Sequence, residues 1–382
     1  MKGSNGKKKR AIALAGGGPA AGLHIGALAA LEEAGISFDV FALSCVGAWV
    51  GLVYNTREGP DRAEQTRKFF HQYCFRDDRS YEWFPINRGF APDVMSLLQA
   101  WGRFALAPSA DVTQLLPLPG EVAESMANTM ALFARVPQAH QFNYWMLNDV
   151  LAVNPATRWL TALVFKSEIN GLSKVYYEDS PALHALFGDT PLKDRPGMPE
   201  IYHNAWRMQR DGRPGAMQIF HNRRTTSDDG VDQYFEINRR SLCACSALPY
   251  IEESVKIGDD EYTEGALVDT VNFANLLRDH PDLDEVWVSR IVDDNQVRPA
   301  RDLSGALANL PMQFAAEVGE DDVKLFRQHL INQSFMRPRV VEIPLHPRTE
   351  VNFDWKHSNL QRGYEEGREA VERLLAFDPT LR

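Results

Sequence analysis

The 382-residue sequence predicts an α/β fold. Near its start, an apolar run at 11–15 is followed by glycines and by apolar residues at helical spacing, and a second apolar run then leads into another helical segment. Strand-like runs return from residue 159 onward. One predicted hairpin joins strands at 159–165 and 174–177 through a turn at 170–171, and a second joins 203–209 and 216–221. The last quarter of the chain is mostly helical. A chain of this length can bury a large core, in one domain or in one domain with an insertion.

The first unit, 11–54, is predicted to contain two strands, two helices and two sharp turns. The strand at 11–15 ends in three glycines at 16–18, and an apolar helix follows. The second strand, at 40–43, turns directly into the segment 44–48. Because a helix starts at each turn, backbone N–H groups point outward there and can hold an oxyanion.

The turn after the second strand has the pattern of a nucleophile elbow with a cysteine at its apex. Such an elbow is strained and needs small residues two positions before and after the nucleophile. Gly47 meets this need if Cys45 is the apex, whereas an apex at Ser44 would place Val46 there. Leu43 departs from the pattern, because it lies where glycine is expected. A thiol at the start of a helix is expected to have a lowered pKa because of the helix dipole.

The glycine loop permits a second interpretation. Residues 16–21 contain a GxGxxA string between a strand and a helix, which is typical of dinucleotide sites. Those sites need an acidic residue at the end of the second strand, but Asp39 precedes that strand. An oxyanion hole is therefore favoured, and a nucleotide-binding oxidoreductase is the weaker alternative. The expected oxyanion hole consists of backbone N–H groups from Gly16, Gly17, Gly18 and Val46, with Gly47 supporting the elbow.

Two motifs resemble those of the patatin-like phospholipases, a family of acyl hydrolases with an α/β fold. The first is GGGPAAGLHIGALAALEEAGISFDV at 16–40, together with the elbow SCVGAWV. The second is SALPYIEESVKIGDDEYTEGALVD at 246–269, which is similar to the family's S-x-x-P stretch and its Asp-Gly-Gly/Ala signature. The motifs stand in the family's order, and the resemblance covers 11–55 and 243–272.

The resemblance implies a catalytic dyad. Cys45 falls on the family's catalytic serine and Glu264 on its catalytic aspartate, with Asp269 as a nearby alternative base. Ala20 replaces a basic residue that usually follows the family's glycines. A thiol is more acidic than an alcohol, so a lone carboxylate deprotonates it more readily, and the resulting thioester exchanges with amines and thiols. His24 is expected to be a packed, hydrogen-bonded residue rather than a catalytic one.

The resemblance also implies the architecture, three α/β/α layers with a mainly parallel central sheet. Residues 1–10 are expected to be a disordered basic tail, 11–295 the patatin-like domain, and 296–382 a helical C-terminal extension packed on the core, as in a bacterial branch of the family. The aromatic-rich segment 55–156 is expected to be a helical insertion over the cleft, or else an ordinary helical layer. Its aromatic residues would line an acyl-chain tunnel in this mechanism, although a packing role is the favoured expectation for most of them: Tyr81, Trp83, Phe84, Trp101, Phe104 and Phe133.

Composition argues against several classes of partner. With 41 basic and 51 acidic side chains, the net charge is −10, which gives no basic field for nucleic acid. Cysteine and histidine spacings match no metal motif, so neither a metal nor a cofactor is expected. The 4 cysteines form no disulfide framework, which favours a reducing, cytoplasmic location. Neither 11–31 nor 38–54 is expected to span a membrane, which leaves peripheral membrane contact open.

The expected function is a patatin-like acyl hydrolase or acyltransferase that uses Cys45 and Glu264. Its expected substrates are an acyl lipid or an acyl thioester of coenzyme A or of a carrier protein. Because both dyad residues differ from the family's usual ones, the alternative is a non-catalytic acyl- or lipid-binding protein on the same scaffold.

Overall fold

The structure is a computed structural model of the chain. The residues that it describes are 8–83, 91–92, 98, 119–135, 151–158, 171–174, 180–188, 191–192, 195–292, 296–297, 299–300, 303–332, 338–345 and 354–382. The chain forms two compact units, the first made of 1–91 and 173–382 and the second of 92–172.

The secondary structure alternates between strands and helices along the first unit. The strands are β1 (Arg10–Leu14), β2 (Val40–Leu43), β3 (Ala91–Pro92), β4 (Gly171–Lys174), β5 (Glu200–Arg207), β6 (Ala216–His221), β7 (Phe235–Glu236), β8 (Tyr250–Glu252), β9 (Val255–Ile257), β10 (Asp260–Glu264), β11 (Glu285–Ser289) and β12 (Arg339–Glu342). The helices are α1 (Ala21–Glu33), α2 (Val46–Asn55), α3 (Arg62–Tyr73), α4 (Asp78–Trp83), α5 (Pro119–Arg135), α6 (Pro181–Phe187), α7 (Arg239–Cys245), α8 (Ala274–Asp279), α9 (Leu303–Asn332) and α10 (His357–Phe377).

The central sheet is mainly parallel. Among the described strands its order is β12-β11-β1-β2-β5-β10-β9, and β6 pairs with β5 and β7. The strands from β12 to β5 run parallel, whereas β10 and β6 are antiparallel to β5. Strands β1 and β2 are buried along their whole length, as expected for strands covered on both faces. The predicted α/β class with a mainly parallel sheet is confirmed, as is the hairpin formed by β5 and β6.

Alternate residues of β1 belong to two separate apolar layers. Ile12 and Leu14 pack in the layer that contains α1, α2 and α10. Ala11 and Ala13 pack on the other face, in the layer that contains α8 and most of the buried side chains of α9. Since successive side chains of a strand point to opposite faces, the sheet separates two helical layers and the first unit has three layers.

Helices α1 and α10 pack with their backbones in direct contact. A Cβ atom built on Gly26 would lie 1.9 Å from the carbonyl oxygen of Tyr364, and one on Gly367 would lie 2.2 Å from that of Leu23. Glycines on both helices therefore permit an approach that a side chain would prevent. Through α10, and through β12 at the edge of the sheet, the segment 296–382 contributes both a helix and a strand to the first unit.

Two boundaries differ from those expected. Strand β1 begins at Arg10, whose Nε donates to Glu285 at 2.8 Å, so this residue belongs to the sheet and not to a disordered tail. Residues 1–7 lie outside the described part of the chain. Helix α3 buries Phe69 and Phe70 in the core of the first unit, so the start of the expected insertion belongs to that unit.

Two further expectations concern the end of the insertion and the membrane. The turn expected at 170–171 is not a turn throughout, because Gly171 is already the first residue of β4, and the flanking strand expected at 159–165 lies outside the described residues. In the described part of the chain, every helix is too short or too polar to cross a membrane.

Candidate active site

Cys45 lies at the apex of the turn between β2 and α2. Its φ of 50° and ψ of −125° are uncommon for a residue with a side chain, which is the strained conformation expected of a nucleophile elbow. Gly47 is required here, since a Cβ atom at this position would lie 2.2 Å from the carbonyl oxygen of Leu14. Ser44 is buried and its Oγ donates to Oδ1 of Asn204 at 2.8 Å. The local geometry therefore selects Cys45 over Ser44.

Leu43, which replaces the expected glycine of the elbow, is accommodated by a glycine in α2. Its side chain is fully buried at the end of β2. A Cβ atom on Gly51 would lie 2.6 Å from Cδ2 of Leu43. In the usual elbow, a glycine in the turn itself leaves the space free. Here Gly51 of the following helix leaves room for the side chain of Leu43.

Gly51→Ala is expected to destabilise the protein by about 1–3 kcal/mol, because the added methyl group overpacks a buried site. In a Leu43→Ala background the same change is expected to be neutral or stabilising, since alanine favours a helix over glycine by about 1 kcal/mol. Urea unfolding of the two single variants and the double variant measures the coupling. Simple additivity of the two changes would show that Leu43 and Gly51 do not share this space.

The glycine loop lies against the Cys45 thiol. The N–H of Gly17 interacts with the sulfur of Cys45, and this contact lowers the pKa of the thiol. Gly17 has a φ of 153° and Gly18 a φ of 51°, both unfavourable for other residues. A Cβ atom on Gly16 would lie 3.2 Å from Cβ of Cys45. The loop N–H groups are therefore near the position where an oxyanion would form.

His24 supports the glycine loop from inside the protein. Its ring nitrogens contact the carbonyl oxygen of Ala15 at 2.9 Å and Oγ of Ser289 at 2.8 Å. Burial lowers the pKa of His24 to about 4, so the ring is neutral near pH 7 and Nε2–H donates to Ala15. This arrangement ties α1 to the ends of β1 and β11. The predicted structural role of His24 is confirmed.

Glu264 is the last residue of β10 and is 5% exposed. Burial raises the pKa of its carboxyl group to about 7, while the interaction with the Cys45 thiol acts in the opposite direction. Its Oε2 is buried and receives no hydrogen bond from the described residues. The next residue, Gly265, approaches Asn204 so closely that a Cβ atom would lie 2.8 Å from Oδ1. Glu264 is thus a carboxyl group of near-neutral pKa beside the thiol.

The pKa of the Cys45 thiol is shifted in the direction opposite to that predicted from the sequence. Burial, followed by the charge of Glu264, raises it well above its ordinary value. The helix dipole favours the thiolate, but desolvation and a neighbouring carboxylate both oppose it, and together they prevail. The thiol is therefore protonated near neutral pH.

Asp269, the alternative base, lies outside the described lining of the cavity that contains Cys45. Its carboxyl group accepts the N–H of Asn272 at 2.6 Å, and its carbonyl oxygen accepts Nδ2 of Asn204 at 2.8 Å. Asp39, the acidic residue of the dinucleotide alternative, accepts the N–H of Arg10 at the opposite end of β1 from the glycine loop. Neither carboxylate is placed to act beside Cys45.

A cavity of about 1080 Å³, which includes space open to solvent, joins these groups within the first unit. Its described lining is Gly16, Gly17, Gly18, Pro19, Cys45, Val46, Trp49, Phe70, Cys74, Ser173, Ser246, Leu248, Ile251, Glu252, Glu264, Ala266, Leu267, Val292, Pro311, Met312, Ala315 and Trp355. Most of these side chains are apolar, and the described lining contains no lysine, arginine or histidine. In the described part of the chain, no group of three or more His, Cys, Asp or Glu side chains could hold a metal ion.

The aromatic residues of the cavity are not those expected. Trp49, Phe70 and Trp355 line it, and they come from α2, α3 and the approach to α10. Trp83 is 85% exposed, and Tyr81 is not among the lining residues. Phe84, Trp101, Phe104 and the side chain of Phe133 lie outside the described residues. Tyr81 and Trp83 are therefore not part of the described cavity lining.

Several supporting residues escaped the sequence analysis. The N–H of Cys45 contacts Sγ of Cys245 at 3.1 Å, and Cys245 belongs to helix α7. Asn204 of β5 connects the elbow to the segment after Glu264. Glu252 adds a second buried carboxyl group to the cavity. Asn204 is far from both motifs along the chain. Cys245 and Glu252 lie within the resemblance at 243–272, but no catalytic spacing marks either of them.

Comparisons with known proteins agree with this architecture. A family model described as patatin-like phospholipase matches residues 12–277, which include the glycine loop, Cys45 and Glu264. A comparison with curated proteins gives no match. Among solved structures, VipD from Legionella pneumophila is 12% identical, with 98% of this chain and 69% of that chain covered and a TM-score of 0.38. The ExoU–SpcU complex from the type III secretion system of Pseudomonas aeruginosa is 13% identical, with 97% and 52% covered and a TM-score of 0.29. Because the family model matches more than half of the sequence, this chain belongs to the patatin-like phospholipase family.

Proposed function

We propose that this chain is a lipid acyl hydrolase or acyltransferase in which Cys45 is the nucleophile and Glu264 is the base. Membership in the patatin-like phospholipase family indicates hydrolysis of lipid acyl esters. The observation that carries the finer proposal is the meeting of three groups in one apolar cavity. These are the Cys45 thiol, the Glu264 carboxyl group and the N–H of Gly17.

In the first step, Sγ of Cys45 attacks the acyl carbonyl carbon while ionised Glu264 accepts the thiol proton. The raised pKa of Glu264 makes it a stronger base than an ordinary glutamate, which helps this transfer. Backbone N–H groups of Gly17, Gly18 and Val46 stabilise the oxyanion. Each such donor contributes about 3 kcal/mol in enzymes of known mechanism.

In the second step, the tetrahedral intermediate collapses and the bond to the leaving oxygen or sulfur breaks. Glu264 returns its proton to the leaving group, and the acyl chain remains on Cys45 as a thioester. Water, an alcohol, an amine or a thiol then attacks this thioester and releases Cys45. Because thioesters react readily with amines and thiols, transfer to such acceptors is part of the proposal, as are acyl thioesters of coenzyme A or of a carrier protein as donors.

Intact-protein mass spectrometry after brief exposure to the p-nitrophenyl ester of a medium-chain fatty acid tests this proposal. One acyl group is expected on the protein, and peptide mapping should locate it on Cys45. The Cys45→Ala variant should remain unmodified, whereas Cys243→Ala should be labelled like the wild type. Cys243 is a suitable control because it is a buried thiol in α7 that does not line the cavity.

A non-catalytic lipid-binding function is the second candidate. It is favoured by one observation, the raised pKa of the Cys45 thiol, which leaves the nucleophile protonated at rest. A binder would take up lipid saturably and would show neither an adduct on Cys45 nor any turnover of ester or thioester. That result would overturn the catalytic proposal.

A further inference from the structure

The mechanism leaves the buried carboxyl group of Glu252 without a role. Glu252, the last residue of β8, is 4% exposed and lines the cavity together with Glu264. Its position is held on both sides by backbone hydrogen bonds. The N–H of Glu252 donates to the carbonyl oxygen of Leu248 at 2.9 Å, and the N–H of Glu253 donates to that of Ser173 at 3.0 Å. The carboxyl group therefore extends from a fixed piece of backbone.

Three other side chains of the cavity, those of Ser173, Trp49 and Ser246, already have partners within the protein. Ser173 Oγ donates to the carbonyl oxygen of Ile251 at 2.7 Å, and the indole N–H of Trp49 donates to Ser246 Oγ at 3.0 Å. The carboxyl group of Glu252, in contrast, has no hydrogen bond to a described residue among the influences on its pKa. Because Glu252 lines the cavity, a ligand atom there can supply the partner.

The electrostatic setting decides which ligand atom fits. Burial, then the charges of Glu264 and Glu253, raise the pKa of Glu252 well above its ordinary value. The neutral form of Glu252 is therefore favoured, and a neutral carboxyl group can both donate and accept a hydrogen bond. An anionic ligand group would lie close to ionised Glu264, and the described lining offers no cation to balance it. Burying such a group unpaired is unfavourable.

We infer that Glu252 is a specificity-determining residue, which binds an uncharged oxygen of the substrate and disfavours substrates with a phosphate group at that place. The favoured class is neutral acyl esters, such as an acylglycerol with free hydroxyl groups. The disfavoured class is the same acyl chain on a glycerol phosphate. This inference rests on the proposed function for its reaction, but its physical content concerns binding in the cavity.

A competition experiment with two ether lipids tests the inference. Dodecyl glyceryl ether and its phosphate monoester differ only in the phosphate group, and neither can be cleaved. They displace a fluorescent apolar probe from the Cys45→Ala protein, in which no covalent step interferes. At neutral pH the uncharged ether should bind at least about tenfold more tightly, and Glu252→Lys should remove or reverse this preference. Equal affinity of the two ethers for the protein with Glu252 intact would overturn the inference.

Glu252→Gln provides a second measurement that does not depend on the folding of the lysine variant. Glutamine is neutral and keeps a hydrogen-bond donor, so the preference should persist at neutral pH. As the pH rises and Glu252 ionises, the protein with Glu252 should lose its affinity for the uncharged ether, whereas the glutamine variant should not. Parallel pH profiles for the two proteins would contradict the assignment.

Ester turnover by the wild-type protein is measured separately, so that failure of this inference can be distinguished from failure of the proposed function. Selective binding without turnover would contradict only the proposed reaction. Turnover without selective binding would contradict only this inference.

Discussion

Glu264→Gln is expected to abolish turnover. Glutamine matches the shape of glutamate but cannot accept the thiol proton, and loss of a general base lowers rates by about 100- to 10,000-fold. For the wild type, kcat/KM should rise with pH through about 7, the pKa of Glu264, because only the ionised carboxylate is a base. Initial rates across this range, with Glu264→Asp as a second variant that keeps a base, measure both effects. Activity of the glutamine variant near the wild-type level would exclude Glu264 as the base.

The same substitution is expected to stabilise the fold at alkaline pH. The folded protein keeps the Glu264 proton up to about pH 7, whereas the unfolded chain loses it near 4.5, so stability falls as the pH rises between these values. At about 1.4 kcal/mol per pH unit, the ionised carboxylate costs about 3 kcal/mol. Glutamine avoids this cost. Urea unfolding should therefore show a gain for the variant above neutral pH, and little difference in mildly acid solution. A gain that is equal at both pH values would assign the effect to packing instead.

Gly26→Ala is expected to destabilise the protein by about 3 kcal/mol or more, at or beyond the upper end of overpacking effects. The new Cβ atom would lie 1.9 Å from the backbone oxygen of Tyr364, so α1 and α10 must separate. A flexible side chain could move aside, but the obstacle here is a helix backbone. Denaturant unfolding of the purified variant measures the loss.

Gly120→Ala is the matched control for this change. It lies in helix α5, and a Cβ atom there would meet no other atom within 4 Å. Because alanine favours a helix, the control should be unchanged or more stable by up to about 1 kcal/mol. A loss below about 1 kcal/mol for Gly26→Ala would show that the contact between α1 and α10 is looser than described.

Patterns between neighbours in the chain account for the elements that the sequence predicted well. The strand, glycine loop, helix and elbow at 10–55 follow from apolar periodicity and from glycines whose positions are set by the turn itself. The choice of Cys45 over Ser44 depends on Gly47, only two residues away. Glu264 could be named because a family motif surrounds it. In each case the deciding information lies within a few residues.

Contacts between distant segments decided the remaining features. Leu43 at the elbow is tolerated because Gly51 leaves room for it. Asn204 and Cys245 contact the elbow, and Glu252 lines the cavity, only once β5, α7 and β8 are assembled. The thiol pKa illustrates the physical reason. The helix dipole is a local effect and favours the thiolate, whereas desolvation depends on every element that surrounds the site and is the larger effect at Cys45. Chain order thus sets which groups can react, and burial in the folded protein sets their protonation.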